Sequence, residues 1–549
     1  MVDRWLNPCY IGLTTRGAHH MLTFDATPAR VREATKLAHS LKIRMEGVQA
    51  FWAAQPRTPQ IQGFAFQLKP YQADGVAHLE KWDGMALLAD DPGLGKTAQV
   101  MAYAWKHARF PMLCIMPKTL MLNWNREIFA MLGTQLKVQI VGITPSARRQ
   151  KILRQRWPHV TWNKRAEPGH DVTLMNYDIV HGNLNRLEAV NWAYVVLDES
   201  HKIKEHQARR TQSVMRLITG REPVPHQPGK FTQMHAGVQR VTFLTGTPLV
   251  NRPRDLWTTV NTLAPWVPEF AHFVKFGVQF CAAHQTRFGW DFSGVSNLDQ
   301  LHKLLSDTIM LRRLKSQVLT ELPAKTFVTV PLQFDRNAYD AVAGAFEGTH
   351  AWHTAMTQLV ELGGKVPVSS AQIVAIHKCR EIAALAKLDS AVEWITDYVE
   401  QGEKLVVFAH HTHMVEHVVN AMQNVGVGVV KIRGGVSAPE RDAAAHAFQT
   451  DPEIKVIVCN ITSAGFGITL TAARACVFLQ LPWSAADYIQ ASDRVHRLGQ
   501  LDNVTVYNLV AENTVEESQA DLIVAKANTA NQALDGGANQ ELAALKLTT

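Results

Sequence analysis

The sequence predicts an α/β fold of two parallel-sheet lobes with helical insertions and a small N-terminal α+β module. Three observations carry this. At 549 residues the chain exceeds what one hydrophobic core serves. Short, apolar, β-branched runs alternate with helical segments in two separate stretches, the pattern of parallel sheets covered on both faces. Between those stretches, residues 266–400 read as mostly helical, with periodic segments such as Leu301–Leu305 and Ala371–Ala386.

Residues 1–58 carry two alternating runs, YIGLTT and HHMLTF, then a helical stretch from Ala29 to Met45, and form the accessory module with its linker. The linker is Gln55 to Gln60, where two prolines and no apolar period exclude an element interior. The first lobe, 59–330, contains the strand-like runs MALLA, MLCIM, DVTLMN, YVVLD and VTFLT. The second, 331–535, contains KLVVFA, VGVVKI, KVIVCN, ACVFLQ and NVTVYNL, and a polar tail fills 536–549.

Composition narrows the class. With 46% hydrophobic and 19% charged residues the chain is that of a globular protein, neither disordered nor fibrous. A formal charge of +8 suits a polyanion partner, although ordinary enzymes carry such an excess too. Six cysteines without a CxxC pair read as buried thiols. No apolar run approaches the ~18 residues that a bilayer span needs, and the start lacks a signal-peptide pattern, so an intracellular protein is expected.

The chemistry begins at MALLADDPGLGKTAQV, which runs strand, glycine-rich loop, helix. Gly93 and Gly95 let backbone N–H groups close around a phosphate at a helix N-terminus, and Lys96 reaches the terminal phosphates. Thr97 supplies a hydroxyl to Mg²⁺, and Asp91, Pro92 and Leu94 complete the loop; Asp90 stands where the strict pattern has glycine. The bland alternative, a tight turn with an exposed lysine, does not account for the flanking strand and helix. About a hundred residues on, the apolar run Tyr194–Leu197 ends in Asp198-Glu199-Ser200-His201, two carboxylates at the carboxyl end of a buried strand. Asp198 is the expected magnesium ligand and Glu199 the group that orients and deprotonates the attacking water.

With these residues placed, the chain resembles the Swi/Snf-type (Snf-two family) ATPases of helicase superfamily two over about residues 64–520, which implies RecA-like lobes. LKPYQADGV resembles the Q motif, implying that Gln72 reads adenine and that the nucleotide is ATP. DPGLGKT, DESH and LTGTPLVNRPRDLW resemble motifs I, II and III, with Thr245, Gly246 and Thr247 coupling site to track. IMLRRLKSQVLTELPAKT, residues 309–326, resembles the block that closes the first lobe in this family. VIVCNITSAGFGITLTAA resembles motif V and QASDRVHRLGQ motif VI, which adds Gly465, Gly467 and Gln490 to the coupling set and implies that Arg494 and Arg497 are arginine fingers pointing into the cleft. For the two arginines the competing reading is a solvated helix face. Family DNA contacts fall on Pro117-Lys118, Asn176-Tyr177 and Thr462-Ser463, while Trp124 reads as packing. Two departures, Asp91-Pro92 for Glu-Met and HRLGQ for HRIGQ, remove no phosphate-contacting group.

DESHKIKEHQARRT is similar to the distal branch that includes annealing helicases and fork remodellers. The resemblance implies a monomeric, ATP-dependent, double-stranded-DNA translocase that remodels forks, anneals strands or displaces proteins, on duplex or branched DNA without sequence preference. An RNA-polymerase-recycling ATPase is the alternative enzyme, although no polymerase-binding module is identifiable. A catalytically silent DNA-binding scaffold is the non-enzyme reading, and the full set of ATPase residues argues against it. A compact chain without a histone-binding appendage points to a cytoplasmic, nucleoid-associated protein of bacterial or phage origin. Three features are given no ligand: His410, His411 and His413 as loop residues, Phe273, Phe276 and Phe280 as a core stripe, and the basic run Arg148, Arg149, Lys151 and Arg154 as a helix face with DNA contact as its minor alternative.

Overall fold

Strands such as Met112–Met116 and Leu405–Ala409 are buried at every position. A strand with no solvent face belongs inside a sheet covered on both sides, and both lobes are built that way. The computed structural model describes residues 10–15, 18–23, 28–40, 44–45, 60–143, 155, 157–223, 231–249, 252–287, 289–344, 347–361, 371–436, 438–461, 468–497 and 499–536. The chain divides into two units between Leu314 and Lys315.

The first unit holds an eight-stranded sheet in the order Met310–Leu311, Ala86–Leu88, Val241–Leu244, Tyr194–Asp198, Met112–Met116, Val172–Asn176, Val138–Val141, Val160–Asn163. Every pairing in it is parallel. Three of these strands are absent from the expected set. Met310–Leu311 is two residues long. Val138–Val141 carries the fully buried Gln139, whose amide donates to Thr173 Oγ1 at 2.8 Å and accepts from Asn163 Nδ2 at 3.1 Å. A buried amide satisfied by neighbouring strands breaks the apolar pattern without breaking the core.

The second unit holds a six-stranded sheet in the order Lys325–Leu332, Val504–Ala511, Ala475–Phe478, Leu405–Ala409, Ile454–Asn460, Gly428–Ile432, again all parallel. Its first strand pairs along its whole length with Val504–Ala511, so the expected division at 330/331 would cut it, and the observed one lies ahead of it. Pro331 and an alternating exposure hide this strand from a search for apolar runs, but an edge position tolerates proline. The helices Asn337–Ala343, His350–Glu361 and Ala371–Ala386 share a core with Trp483 and Val515.

The N-terminal module forms a hairpin, Tyr10–Thr15 against Ala18–Thr23, with Arg44–Met45 as third strand. Its helix, Pro28–Ser40, stops short of the expected Met45 because Arg44 and Met45 pair with Thr14 and Leu13. Arg32 donates to the carbonyls of Lys81 and Glu80, which end the helix Pro70–Lys81 and lack partners within it. Most of the Gln55–Gln60 linker and the tail from 537 lie outside the described residues. Among the described residues no helix is long and apolar enough to cross a membrane.

Candidate nucleotide and catalytic site

Sheet register brings motifs I, II and III together. Leu244 pairs with Leu88 on one side and Asp198 on the other, so three loops leave adjacent strands at one carboxyl edge, the place where open α/β sheets bind ligands. In the loop after Leu88, Gly93 and Gly95 take φ of 92° and 75°, which glycine adopts without strain. A Cβ at Gly95 would stand 2.3 Å from Gln72 Nε2, and one at Gly246 would stand 2.8 Å from the Pro92 ring. Both glycines permit close approach: the first of Gln72 to the loop, the second of motif III to it. The helix Lys96–Lys106 starts directly after Gly95, which aims its first N–H groups into the loop. Lys96 Nζ donates to the carbonyls of Asp90 and Asp91 at 2.5 and 3.3 Å. Gln72 is buried, accepts from Lys69 N at 3.0 Å and donates to Leu94 O at 3.3 Å, so its amide braces the loop from behind.

Asp198 is held from three directions. Trp124 Nε1 donates to Oδ2 at 2.7 Å, Glu199 N donates to Oδ1 at 2.9 Å, and the Tyr177 hydroxyl donates to its carbonyl at 2.8 Å. Burial raises the Asp198 carboxyl above its ordinary value against the pull of the Trp124 N–H and the Lys96 ammonium. A buried carboxylate in that position is relieved by a cation, so the donor set fits a divalent metal. Glu199 occupies the left-handed region at φ 50°, a conformation a non-glycine residue holds only when its surroundings impose it. His201 Nδ1 lies 3.3 Å from Glu199 Oε2 and 3.2 Å from Thr245 Oγ1, and Thr247 N donates to that same hydroxyl at 3.1 Å. Burial, with Lys202 and Lys204 nearby, depresses His201 to about 3, so a neutral ring links the acid of motif II to the hydroxyl of motif III.

Asp90, in the position of the strict motif's first glycine, is fully buried and ion-paired with Arg313. Arg313 Nε donates to Asp90 Oδ1 at 2.9 Å and its Nη2 to Gln99 Oε1 at 3.0 Å, while Nη1 donates to the Tyr71 carbonyl. Gln99 Nε2 completes the ring by donating to Asp90 Oδ2 at 3.1 Å. Arg312 Nη1 reaches the carbonyls of Ala89 and Gly246 at 2.9 and 3.3 Å.

In the second unit the helix Ala485–Ser492 ends before Arg494, which is 8% exposed, so a solvated helix face does not describe it. Arg494 Nη1 donates to Ile468 O at 3.4 Å and its carbonyl accepts from Leu470 N at 2.9 Å, while Arg497 Nη1 donates to Thr469 Oγ1 at 3.3 Å. Both arginines therefore lean on the second half of motif V. Gln490 is buried on the preceding helix. Thr462, Ser463, Gly465 and Gly467 lie outside the described residues, as does the run Arg148 to Arg154.

Of the expected DNA contacts, Lys118 is exposed just beyond the carboxyl end of Met112–Met116. The expectation for Asn176 and Tyr177 side chains is corrected. Asn176 is buried and accepts from Asp178 N as a helix cap, and Tyr177 is 3% exposed with its hydroxyl committed to Asp198. Trp124 packs as expected, but its N–H on Asp198 makes it part of the site, and His201, Gln99, Arg312 and Arg313 belong to it as well. Phe276 and Phe280 are core residues. The backbone N–H groups of His410 and His411 donate to Gln480 Oε1, and among the described residues no cluster of three or more His, Cys, Asp and Glu side chains is arranged to hold a metal.

The chain matches the SNF2-related domain over residues 71–222 and 230–362, more than half its length, and the helicase conserved C-terminal domain over 386–499. It belongs to the SNF2-related family. Membership implies the use of ATP. The chain is 31% identical over 468 residues to the Xenopus tropicalis SWI/SNF-related matrix-associated actin-dependent regulator of chromatin subfamily A-like protein 1, across 85% of this SNF2-related chain and 45% of that protein. It is 30% identical to the Mus musculus DNA annealing helicase and endonuclease ZRANB3, across 86% of this chain and 41% of that one. It thus spans less than half the length of either relative. The Sulfolobus solfataricus SWI2/SNF2 ATPase core in complex with dsDNA aligns with 84% of this chain and 92% of that core at 24% identity and a TM-score of 0.38. The expected bacterial or phage origin is corrected, because the relatives come from Xenopus and Mus musculus.

Proposed function

We propose that this SNF2-related chain is an ATP-dependent double-stranded-DNA translocase that remodels DNA structures, with forks and annealing as its specialisation, or displaces bound proteins. The observation that carries the reading is the pair Asp198-Glu199 at the carboxyl edge of the sheet, beside the Lys96 loop and linked through His201 to Thr245.

Loop N–H groups and Lys96 bind the triphosphate, and Gln72, on the strength of its motif, reads adenine. Thr97 and Asp198 would hold a magnesium ion, which supplies charge neutralisation at the phosphates. Glu199 takes the proton of the attacking water. Arg494 and Arg497, carried by motif VI, meet the charge that develops on the transferring phosphoryl group. Because His201 touches both Glu199 and Thr245, a change at the water-activating acid is transmitted to motif III. DNA as the track draws support from the annealing-helicase relatives, from the net charge of +8 and from Lys118 at the exposed edge. Lysine and hydroxyl contacts to phosphate read no base edges, so binding is sequence-independent and weakens with salt.

Trp124→Phe removes the donor on Asp198 while keeping the ring. Loss of a hydrogen bond behind a metal ligand costs about 10–100-fold in metal affinity or activity, so half-maximal ATPase requires at least about tenfold more magnesium. A magnesium titration of both proteins checks this.

The function itself is tested by ATPase rates with duplex, single-stranded and forked DNA and RNA as activators, across a salt series. Duplex or forked DNA stimulates and the stimulation declines with salt; equal stimulation by RNA, or none by any DNA, overturns the reading. Fork-selective stimulation supports the specialised form, and a chain that binds DNA without hydrolysing ATP is the silent scaffold.

A further inference from the structure

Four consecutive residues, Arg312-Arg313-Leu314-Lys315, are anchored to two different parts of the ATPase machinery. In the first unit Arg313 forms the ion pair with buried Asp90, and Arg312 holds the carbonyls of Ala89 and Gly246, one on each side of the Pro92 contact. The main chain joins in, since Asp91 N donates to Arg313 O at 3.0 Å. In the second unit Lys315 is buried, with Nζ 2.9 Å from Asp493 Oδ2 and 2.9 Å from the carbonyl of His496. Lys325 takes the other oxygen, Asp493 Oδ1, at 3.2 Å. Asp493 precedes Arg494, and His496 precedes Arg497. The unit boundary falls between Leu314 and Lys315, so a single residue separates the anchor on the nucleotide loop from the anchor on the motif VI turn.

We propose that Arg313 and Lys315 are positioning residues for hydrolysis: the first sets the nucleotide loop through Asp90, the second sets the Arg494 turn through Asp493, and Leu314 is the pivot between them. A long, free connection would let the loop and the motif VI turn take up their places independently. Here every side chain flanking the pivot is spent on an ion pair or a carbonyl, so a shift at the loop is delivered to the arginine turn through one residue. Burial makes these anchors stiff, because leaving a charge buried without its partner is strongly unfavourable. The inference rests on the ATPase reading above and adds to it residues that touch no substrate.

Two variants of the full chain test it. Two glycines inserted after Leu314 lengthen the pivot and leave both anchors intact; Asp90→Asn with Arg313→Gln removes the loop anchor without stranding a buried charge. The readouts are the affinity for a fluorescent ATP analogue and the steady-state KM and kcat with duplex DNA. Misplacement of reacting groups by about 1 Å costs on the order of 10²-fold in rate. The insertion is therefore expected to keep nucleotide affinity and KM within about twofold while kcat falls at least about tenfold, a split that general destabilisation does not produce. The double variant is expected to bind nucleotide at least about tenfold more weakly. Turnover of the insertion variant within about twofold of the parent, or unchanged affinity in the double variant, overturns the proposal. Should the parent bind nucleotide without hydrolysing it, the translocase reading fails, and the double variant's affinity alone decides the inference.

Discussion

Glu199→Gln binds ATP and DNA as the parent does and hydrolyses ATP about 10²–10⁴-fold more slowly, the span that a positioned general base contributes. The substitution is nearly isosteric, and glutamine at φ 50° meets the same backbone demand that glutamate does. Asp198 keeps its three hydrogen bonds, because the Glu199 contribution to them is a backbone N–H. What disappears is the carboxylate that takes the water proton and that lies 3.3 Å from His201 Nδ1. His201 is already neutral, so no charge is stranded and folding is spared. Steady-state ATPase with saturating duplex DNA, alongside binding of a fluorescent analogue, separates these effects; a parental rate removes Glu199 as the base.

Arg494→Ala has the larger effect still. Guanidinium groups at transferring phosphates account for about 10³–10⁵ in rate, and the loss falls on kcat, because the nucleotide loop belongs to the other unit and keeps Lys96. Single-turnover hydrolysis with pre-bound ATP reads the chemical step directly. Arg494 is buried against the Ile468 carbonyl, so a thermal melt accompanies the assay to identify local damage. Arg494→Lys keeps the charge but loses the planar fork, and remains at least about tenfold impaired. A lysine variant at the parental rate would show that only net charge is needed there.

What was legible in the sequence is what is local. The GLGKT loop, the DESH turn and the LTGT turn each place their functional groups within a few residues of a strand end, and parallel pairing with Leu244 between Leu88 and Asp198 brings those ends together. Partners far apart in the chain were not legible. Trp124 and Asp198 are 74 residues apart, and Arg313 and Asp90 are 223 apart; neither pair has a spacing rule that would join it. Asp90 reads as a mere departure from a glycine pattern until Arg313 is seen to require it. His201 lies inside a quoted motif, yet its role depends on a contact with Thr245, 44 residues on. Asn176 and Tyr177 went astray for the converse reason: the motif locates them beside the track, but hydrogen bonds to Asp178 and Asp198 turn both side chains inward. In the folds, Gln139 and Pro331 concealed two strands whose burial and pairing depend on neighbours remote in sequence.

The central claim is that hydrolysis moves this protein along duplex DNA, and displacement of a third strand from a DNA triplex measures that motion without requiring strand separation. With ATP and magnesium the parent chain releases the triplex strand from a duplex that extends beyond it, and Glu199→Gln bound to the same DNA releases none. Release by Glu199→Gln at the parental rate, or ATP hydrolysis by the parent with no release on any duplex, would contradict the account.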